Sequence, residues 1–254
     1  MLILIRGFWR IDMGTMLFSA LAREIRKSLA IRRLNRARRT IEVPAWERRA
    51  GGRFSVRRYD SYEDYVAHQK SKLALLEGVL LEEYDREFVA QLAARLRKVD
   101  RVKSGASVLC LAARLGSEVK AFRALGCFAV GIDLNPGPAN PLVVVGDFHA
   151  LQFADRCVDV VFTNSLDHSY DLEKMLAEVR RVLRPEGLFV VEAAMGEREG
   201  ISPSTWEAFS WETVDDLIAR LSECGFELIA REQVRYPWLG MHLVLKKREP
   251  DTAR

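Results

Sequence analysis

The fold is decided by the stretch Ala106-Ser-Val-Leu-Cys-Leu-Ala-Ala-Arg-Leu-Gly116, followed by Ser117-Glu118 and then by Cys127-Phe-Ala-Val-Gly-Ile-Asp133. Its two apolar runs predict buried strands, and between them the sequence predicts a tight loop and the start of a helix. The second strand ends on Asp133. A helix N-terminus offers unpaired backbone N–H groups, and a carboxylate can accept hydrogen bonds from both hydroxyls of a ribose. This order of elements therefore predicts a site for an adenosine-containing cofactor.

The surrounding motifs narrow the class of protein. The dinucleotide fingerprint G-x-G-x-x-G is absent, which argues against a dehydrogenase. Over residues 108–187 the chain resembles the class I S-adenosylmethionine-dependent methyltransferases, specifically the type 11 group of small-molecule and lipid methyltransferases. Five segments match that family's motifs in order: Val108-Leu-Cys-Leu-Ala-Ala-Arg-Leu-Gly116, Val130-Gly-Ile-Asp133, Gly146-Asp-Phe-His149, Val158-Asp-Val-Val-Phe-Thr-Asn164 and Val182-Leu-Arg-Pro-Glu-Gly187.

The resemblance implies an α/β fold with a Rossmann-like seven-stranded sheet. That sheet is mostly parallel with a reversed last strand, and helices cover both of its faces. The implied cofactor is S-adenosylmethionine, and the implied reaction is methyl transfer to a small-molecule, lipid or sugar acceptor, with oxygen as the favoured acceptor atom. Two other functions stay open: a non-catalytic cofactor-binding or scaffold protein, and an RNA methyltransferase.

The resemblance also assigns cofactor contacts. In the family, the acid at the end of the second strand binds the ribose, which points to Asp133. In the family, the acid at Asp147 meets the adenine amino group and the residue after it packs on the ring; Phe148 could do that or could equally belong to the core. The predicted cofactor-binding residues are Ala112, Arg114, Gly116, Asp133, Asp147, Phe148 and Asn164. No metal site is predicted.

The first loop departs from the family pattern. The family usually has an acid at the position of Cys110 and glycines at those of Ala112 and Arg114, so Gly116 is the remaining glycine of the series. In the family, that acid helps to hold the methionine amino group. Arg114 has two interpretations: it pairs with the methionine carboxylate, since a guanidinium forks onto carboxylates, or it points into solvent. The same substitutions are what keep a non-catalytic protein open.

The predicted general base is His168. It follows the predicted strand at residues 158–163, and ligands in open α/β sheets bind at the carboxyl ends of strands. Imidazole titrates near neutrality, which suits proton removal from a hydroxyl. The alternative is that His168 orders its loop by bonding Asp167 or Asp171. His149 is a second candidate base.

Charge divides the chain unevenly. Residues 1–60 hold 15 Lys and Arg against 5 Asp and Glu, a balance of +10, whereas the whole chain carries +4 and the remainder therefore −6. Leu17, Leu21, Ile25 and Leu29 share one helical face, and the apolar phase changes after Ala30, which predicts two short helices or one broken helix. Residues 17–41 could bind an anionic membrane or nucleic acid, form an oligomer contact, or remain a solvated arm.

A helical segment follows the extension. Tyr62, Tyr65, His68 and Gln69 lie on a helix that begins near Ser61, and in the family such helices shape the acceptor pocket. A second helix places Tyr84, Phe88, Leu92 and Leu96 at four-residue steps. Trp206, Phe209 and Trp211 are assigned to a polar loop that walls the acceptor pocket or only seals it. The predicted divisions are an extension at 1–60, a helical cap at 61–100, the cofactor-binding domain at 101–248 and a tail at 249–254.

Composition bounds the remaining possibilities. The chain has 254 residues, 49% of them hydrophobic, which suits one catalytic domain with additions. Cys110, Cys127, Cys157 and Cys224 show no C-x-x-C spacing and are expected to be reduced thiols. Residues 13–22 are too short and too polar for a transmembrane span, and a cytoplasmic protein, with or without membrane association, is expected.

Overall fold

The computed structural model describes residues 13–74 and 78–248, and the side chains of residues 21–72 and 85–248. The side chains of Leu17 and Tyr84 and the tail at 249–254 lie outside this description. The helices are α1 (Met13–Arg38), α2 (Tyr62–Ala74), α3 (Gly78–Leu96), α4 (Ser117–Arg123), α5 (Leu172–Val182) and α6 (Val214–Glu223). The strands are β1 (Trp46–Arg48), β2 (Phe54–Arg57), β3 (Ser107–Leu111), β4 (Phe128–Asp133), β5 (Val143–Val145), β6 (Val158–Thr163), β7 (Leu183–Ala194), β8 (Phe209–Trp211), β9 (Phe226–Val234) and β10 (Gly240–Lys247).

The main sheet has seven strands in the order β5-β4-β3-β6-β7-β10-β9. Strands β3 to β7 pair in parallel, and β10 runs antiparallel to both of its neighbours. The predicted α/β class and the mostly parallel seven-stranded sheet with a reversed last strand are confirmed. Because parallel strands end at the same edge, the loops after β3, β4 and β6 meet there.

Helices cover both faces of the sheet, as predicted. Alternate residues of β3 divide between two apolar clusters: Leu109 packs in the cluster that contains α5 and α6, and Val108 in the cluster that contains α3 and α4. This division follows from the two-residue period of a strand buried on both sides. The four cysteines are free thiols, with Cys110 and Cys127 buried.

A second, three-stranded sheet was not predicted. β1 pairs with β2, and β2 pairs with β8 so that Phe54 faces Trp211 and Val56 faces Phe209. The assignment of Phe209 and Trp211 to a polar loop is therefore wrong. Strands of three or four residues are too short to show a two-residue period in the sequence. The small sheet ties residues 46–57 to the segment that follows β7.

The N-terminal helix differs from its prediction. α1 is one continuous helix, so the predicted break after Ala30 is wrong. Residues 15–43 contain neither glycine nor proline, and a change of apolar phase alone does not interrupt backbone hydrogen bonding. α1 packs against α3 and buries Ala30 and Leu34.

The outer side of α1 remains exposed. Leu21, Ile25 and Leu29 are 59%, 52% and 45% exposed, beside the exposed Arg23 and Arg26. Binding of residues 17–41 to an anionic membrane, to nucleic acid or to another copy stays a prediction that depends on these side chains. Within residues 13–74 and 78–248, no helix has both the length and the apolar character of a membrane span.

A triad of buried polar side chains fixes α3 to the sheet. Arg95 donates two hydrogen bonds to Glu192 on β7, with Nε 2.7 Å from Oε1. His242 on β10 lies with Nδ1 3.0 Å from the same oxygen. Arg95 and Glu192 are almost fully buried, so each needs the other to offset the cost of leaving water. The triad holds α3 against the strands near the edge where the loops meet.

Candidate functional site

Two cavities open side by side at the carboxyl ends of the strands. The first is a cleft lined by the loops after β3 and β4 together with α2. The second has a volume of about 520 Å³ and extends toward the segment that follows β7. The two share five lining residues, Lys72, Ala112, Arg114, Ser165 and His168. Ligands in the two cavities would therefore meet at these side chains.

The loop after β3 keeps a glycine-like backbone without most of its glycines. Ala112 has φ 51° and Arg114 has φ 45°, both in the left-handed region that non-glycine residues rarely adopt. Gly116 has φ 91°, and a Cβ there would lie 2.8 Å from Leu142 Cβ. Gly116 does not line either cavity, and its positive φ lets the backbone turn into α4; its predicted contact with the cofactor stays a prediction. The positions where the resembling family has glycine thus retain the conformation that glycine permits.

Asp133 at the end of β4 is braced by two backbone donors. Arg114 N donates to Oδ2 at 2.9 Å, and Asn135 N donates to Oδ1 at 2.8 Å. Each oxygen keeps a second acceptor position, and the side chain lines the first cavity. The carboxylate is therefore held in a fixed orientation from which it can accept two further hydrogen bonds.

Asp147 belongs to a buried network beside the same cleft. His149 donates to Oδ1 through its backbone N and through Nδ1, and Tyr62 donates to Oδ2. Burial raises the pKa of Asp147, but these hydrogen bonds outweigh burial and lower it to about 2. The neighbouring Phe148 is 6% exposed and lines the first cavity. The predicted contact of Asp147 with adenine stays a prediction.

His149 is fixed in one tautomer by its partners. Asp171 N donates to Nε2 at 3.2 Å, so Nε2 carries a lone pair and Nδ1 carries the proton that Asp147 accepts. The side chain is 2% exposed and does not line either of the two cavities. This histidine orders the cleft wall and is poorly placed to act as a base.

His168 lies where the two cavities meet. Its Nδ1 is 3.0 Å from both Gln69 Oε1 and the Trp206 carbonyl oxygen, and both of these are acceptors, so Nδ1 carries a proton. Nε2 therefore offers a lone pair, which accepts a hydrogen bond from Lys72 Nζ at 3.1 Å. Burial, reinforced by the charge of Lys72, lowers the pKa of His168 well below its ordinary value. The imidazole is neutral and firmly oriented.

Lys72 is the functional candidate that sequence reasoning missed. Burial and the charge of Arg114 lower its pKa to about 8. Three residues of α2, Tyr65, Gln69 and Lys72, line the first cavity and are spaced by four and three positions, which places them on one helical face. That spacing was the signal available in the sequence.

An acidic pair faces Lys72. Burial and the charge of Glu207 raise the pKa of Asp167 to about 7. Asp167 Oδ1 and Glu207 Oε2 are buried without a hydrogen-bond partner among the described residues. With His168 they form a group whose ligand atoms lie within 4.8 Å of one another. Lys72 bonds to His168 Nε2 in the same place and interacts electrostatically with both carboxylates.

Glu118, in the first turn of α4, also lines the larger cavity. Asn164 Nδ2 donates to its Oε1 at 3.1 Å, whereas Oε2 is buried with no hydrogen-bond partner in the described part of the chain. The residue is 5% exposed, and burial raises the pKa of its carboxyl to about 7. Cys110, where the resembling family has an acid, is fully buried and lines neither cavity.

The segment after β7 forms the far wall of the larger cavity. Trp206 is 1% exposed, and Arg38 and Lys72 lie 5.1 and 5.7 Å from its ring centroid. Arg57 on β2 donates to the carbonyl oxygens of Pro44, Ser204 and Glu207, and Gln69 donates to that of Trp206. This wall is therefore anchored from β2 and α2.

The structure brings most of the predicted site residues together. Ala112, Arg114 and His168 line both cavities. Of the other predicted site residues, Asp133 and Phe148 line the first cavity, and Asn164 lines the second. Of the predicted helix residues, Tyr65 and Gln69 line the first cavity. His68 lines neither and bonds to Tyr59 OH at 2.8 Å. Trp206 walls the larger cavity, but Phe209 and Trp211 do not.

Comparison with known sequences places a family domain on these same elements. Residues 109–191 match the model of a family described as a methyltransferase domain. A 65-residue segment is 42% identical to malonyl-[acyl-carrier protein] O-methyltransferase 1 of Coxiella burnetii (strain RSA 493 / Nine Mile phase I). That segment covers 24% of this chain and 23% of the curated protein, so the similarity is confined to part of each.

Comparison with solved structures supports the fold. The 1,6-didemethyltoxoflavin-N1-methyltransferase of Burkholderia thailandensis, crystallised with 1,6-didemethyltoxoflavin and S-adenosylhomocysteine, aligns over 81% of this chain and 100% of its own. The TM-score is 0.56 at 16% identity. The PH0226 protein of Pyrococcus horikoshii OT3 aligns over 65% of this chain and 91% of its own, with a TM-score of 0.52 at 24% identity.

Proposed function

We propose that this chain, which contains a class I S-adenosylmethionine-dependent methyltransferase domain, transfers a methyl group to an oxygen atom of a small-molecule, lipid or sugar acceptor. The observation that carries the proposal is the junction of the two cavities. A cofactor with its adenosine in the first cavity and an acceptor in the second would meet beside His168 and Lys72.

The residues of the first cavity fit the cofactor. Asp133 is braced by two backbone N–H groups and can accept hydrogen bonds from the two ribose hydroxyls. Phe148 supplies an apolar face for adenine. Arg114 lines both cavities and makes no hydrogen bond through its guanidinium to a described residue, which suits a fork onto the methionine carboxylate.

The cofactor supplies an activated methyl group, so the protein must align the acceptor and receive its proton. We assign the proton to His168 Nε2, because the two hydrogen bonds at Nδ1 orient the ring and make Nε2 the lone-pair atom. Lys72 Nζ, which donates to this lone pair, must release it before the acceptor proton is transferred. A second positive charge beside the Lys72 ammonium would oppose protonation of His168. Proton transfer is therefore fastest when Lys72 is neutral.

The chemistry can be tested by incubating the purified chain with methyl-labelled S-adenosylmethionine and a panel of hydroxyl, carboxyl and amine acceptors. We expect label on an oxygen-bearing acceptor together with formation of S-adenosylhomocysteine. Transfer to nitrogen alone would overturn the assignment of oxygen. Tight binding of the cofactor without transfer to any panel member, including RNA, would favour the non-catalytic alternative.

A further inference from the structure

The larger cavity collects buried polar atoms that have no partner. Among the described residues, eight buried side-chain atoms lack a hydrogen-bond partner, and five of these belong to residues lining this cavity: Arg38, Glu118, Asp167, Glu207 and Trp238. A buried polar atom without a partner costs free energy. The clustering of such atoms in one cavity therefore points to a polar ligand. Glu118 differs from the other acids because it stands at the end nearest the loop after β3.

Cys110 stands where the resembling family normally has a carboxylate, and its side chain is unsuited to hold the methionine amino group. Cys110 is fully buried, and burial, followed by the charge of Glu118, raises the pKa of its thiol well above the ordinary value. A neutral thiol is a weak acceptor for an ammonium group. The Glu118 carboxylate is close enough to Cys110 to act on the thiol electrostatically.

The Glu118 carboxylate is held ready for a cation. Asn164 occupies Oε1, and Oε2 is left unpaired within the residues that the structure describes. Burial of an unpaired carboxylate is costly unless an opposite charge approaches it. Arg114 is near enough to lower the pKa of Glu118, and it lines the same cavity. One cation and one anion thus face a shared space, which suits the carboxylate and ammonium groups of an α-amino acid.

Resting on the proposed function, we propose that Glu118 replaces the acid missing at Cys110 and binds the α-ammonium group of the cofactor's methionine portion, while Arg114 binds its carboxylate. The carboxylate has moved from the end of β3 to the first turn of α4, across the strained loop. Asn164 is a positioning residue that orients Glu118 through Oε1. The altered loop and the first turn of α4 together form the site for the amino-acid portion of the cofactor.

The test compares two ligands that differ in the amino-acid portion. S-adenosylhomocysteine carries it, whereas 5′-methylthioadenosine keeps the adenosine and the thioether and lacks it. We expect Glu118→Gln to weaken S-adenosylhomocysteine about 10- to 100-fold in calorimetric titration, the range for losing a charged hydrogen bond. Affinity for 5′-methylthioadenosine should stay unchanged, which also shows that the variant is folded.

Two control variants sharpen the result. Glu223→Gln removes an exposed carboxylate that pairs with Arg220 and lines neither cavity, and Cys110→Ala removes the thiol; neither should change affinity for S-adenosylhomocysteine. Equal weakening of both ligands by Glu118→Gln would make Glu118 structural and overturn the proposal, as would unchanged affinity for both. If the unaltered chain binds neither ligand, the proposed function itself fails.

Discussion

The two walls of the larger cavity are built in different ways. One wall is the loop after β3 with the start of α4, where residues 112–118 place Ala112, Arg114 and Glu118 through local backbone conformation. The other wall is the segment that holds Trp206 and Glu207, and Arg57 anchors it from 150 positions away in the chain. On the proposed function, the first wall would hold the methionine portion of the cofactor, and the second would recognise the acceptor. We therefore expect that cofactor binding and acceptor binding can be perturbed separately.

The largest expected effect is at the junction of the two walls. His168→Ala should lower turnover by roughly two to four orders of magnitude if His168 receives the acceptor proton, because that is the usual contribution of a general base. Affinity for S-adenosylhomocysteine should change little, which steady-state kinetics and calorimetry would show together. An equal loss of turnover and cofactor affinity would make His168 a structural residue.

The pH profile gives an independent control for the same prediction. Lys72, whose pKa is lowered to about 8, loses its proton as the pH rises, and the opposition to a protonated His168 then disappears. Turnover should therefore rise with pH through about 8. Lys72→Met should remove this rise. A rate that falls over the same range would contradict the assigned order of proton transfer.

A smaller effect is expected at the anchor of the second wall. Arg57→Met removes three hydrogen bonds to the carbonyl oxygens of Pro44, Ser204 and Glu207. We expect KM for the acceptor to rise roughly 10- to 100-fold, since unpaired buried carbonyls cost about 1–3 kcal/mol and loosen the segment. Affinity for S-adenosylhomocysteine should stay within about twofold of the original. Weakening of the cofactor instead would show that the two walls are coupled.

The smallest effect concerns the strained loop. Arg114→Gly should relieve a left-handed conformation and stabilise the fold by about 1 kcal/mol, a rise in Tm of roughly 2–4 °C. The same change should weaken S-adenosylhomocysteine because the guanidinium is lost. Ala112→Gly is the matched control, with the same gain in Tm and no loss of affinity. A lower Tm in both variants, read from thermal unfolding, would mean that neither position is strained.

Much of the first wall could be predicted from the sequence. The apolar runs and Asp133 identify β3, the loop and β4, and the predicted strand at 158–163 coincides with β6. These elements depend on neighbouring residues, which periodicity records. Glu118 was recognised only as part of a helix start, because its approach to Asn164 depends on how α4 packs against β6.

The second wall could not be predicted, for a physical reason. Its small sheet joins β2 to β8, and each strand is too short to carry a periodic signal. Arg57 looks like one more residue of a basic segment, yet it is 8% exposed and bonded to three carbonyl oxygens. Contacts between distant segments leave no local pattern in the sequence. Lys72 lies between these two cases. Its helical spacing from Tyr65 and Gln69 can be read in the sequence, whereas its contact with His168 cannot.

The most direct test of a cofactor site at the end of β4 is a calorimetric titration of S-adenosylhomocysteine into the unaltered chain and into Asp133→Ala. We expect the unaltered chain to bind one equivalent. In Asp133→Ala we expect the binding free energy to weaken by roughly 1.5–3 kcal/mol, the range for hydrogen bonds to a charged group. Asp155→Ala, which removes a surface acid paired with Arg181, should bind normally. No binding by the unaltered chain, or full affinity in Asp133→Ala, would contradict a cofactor site at the end of β4.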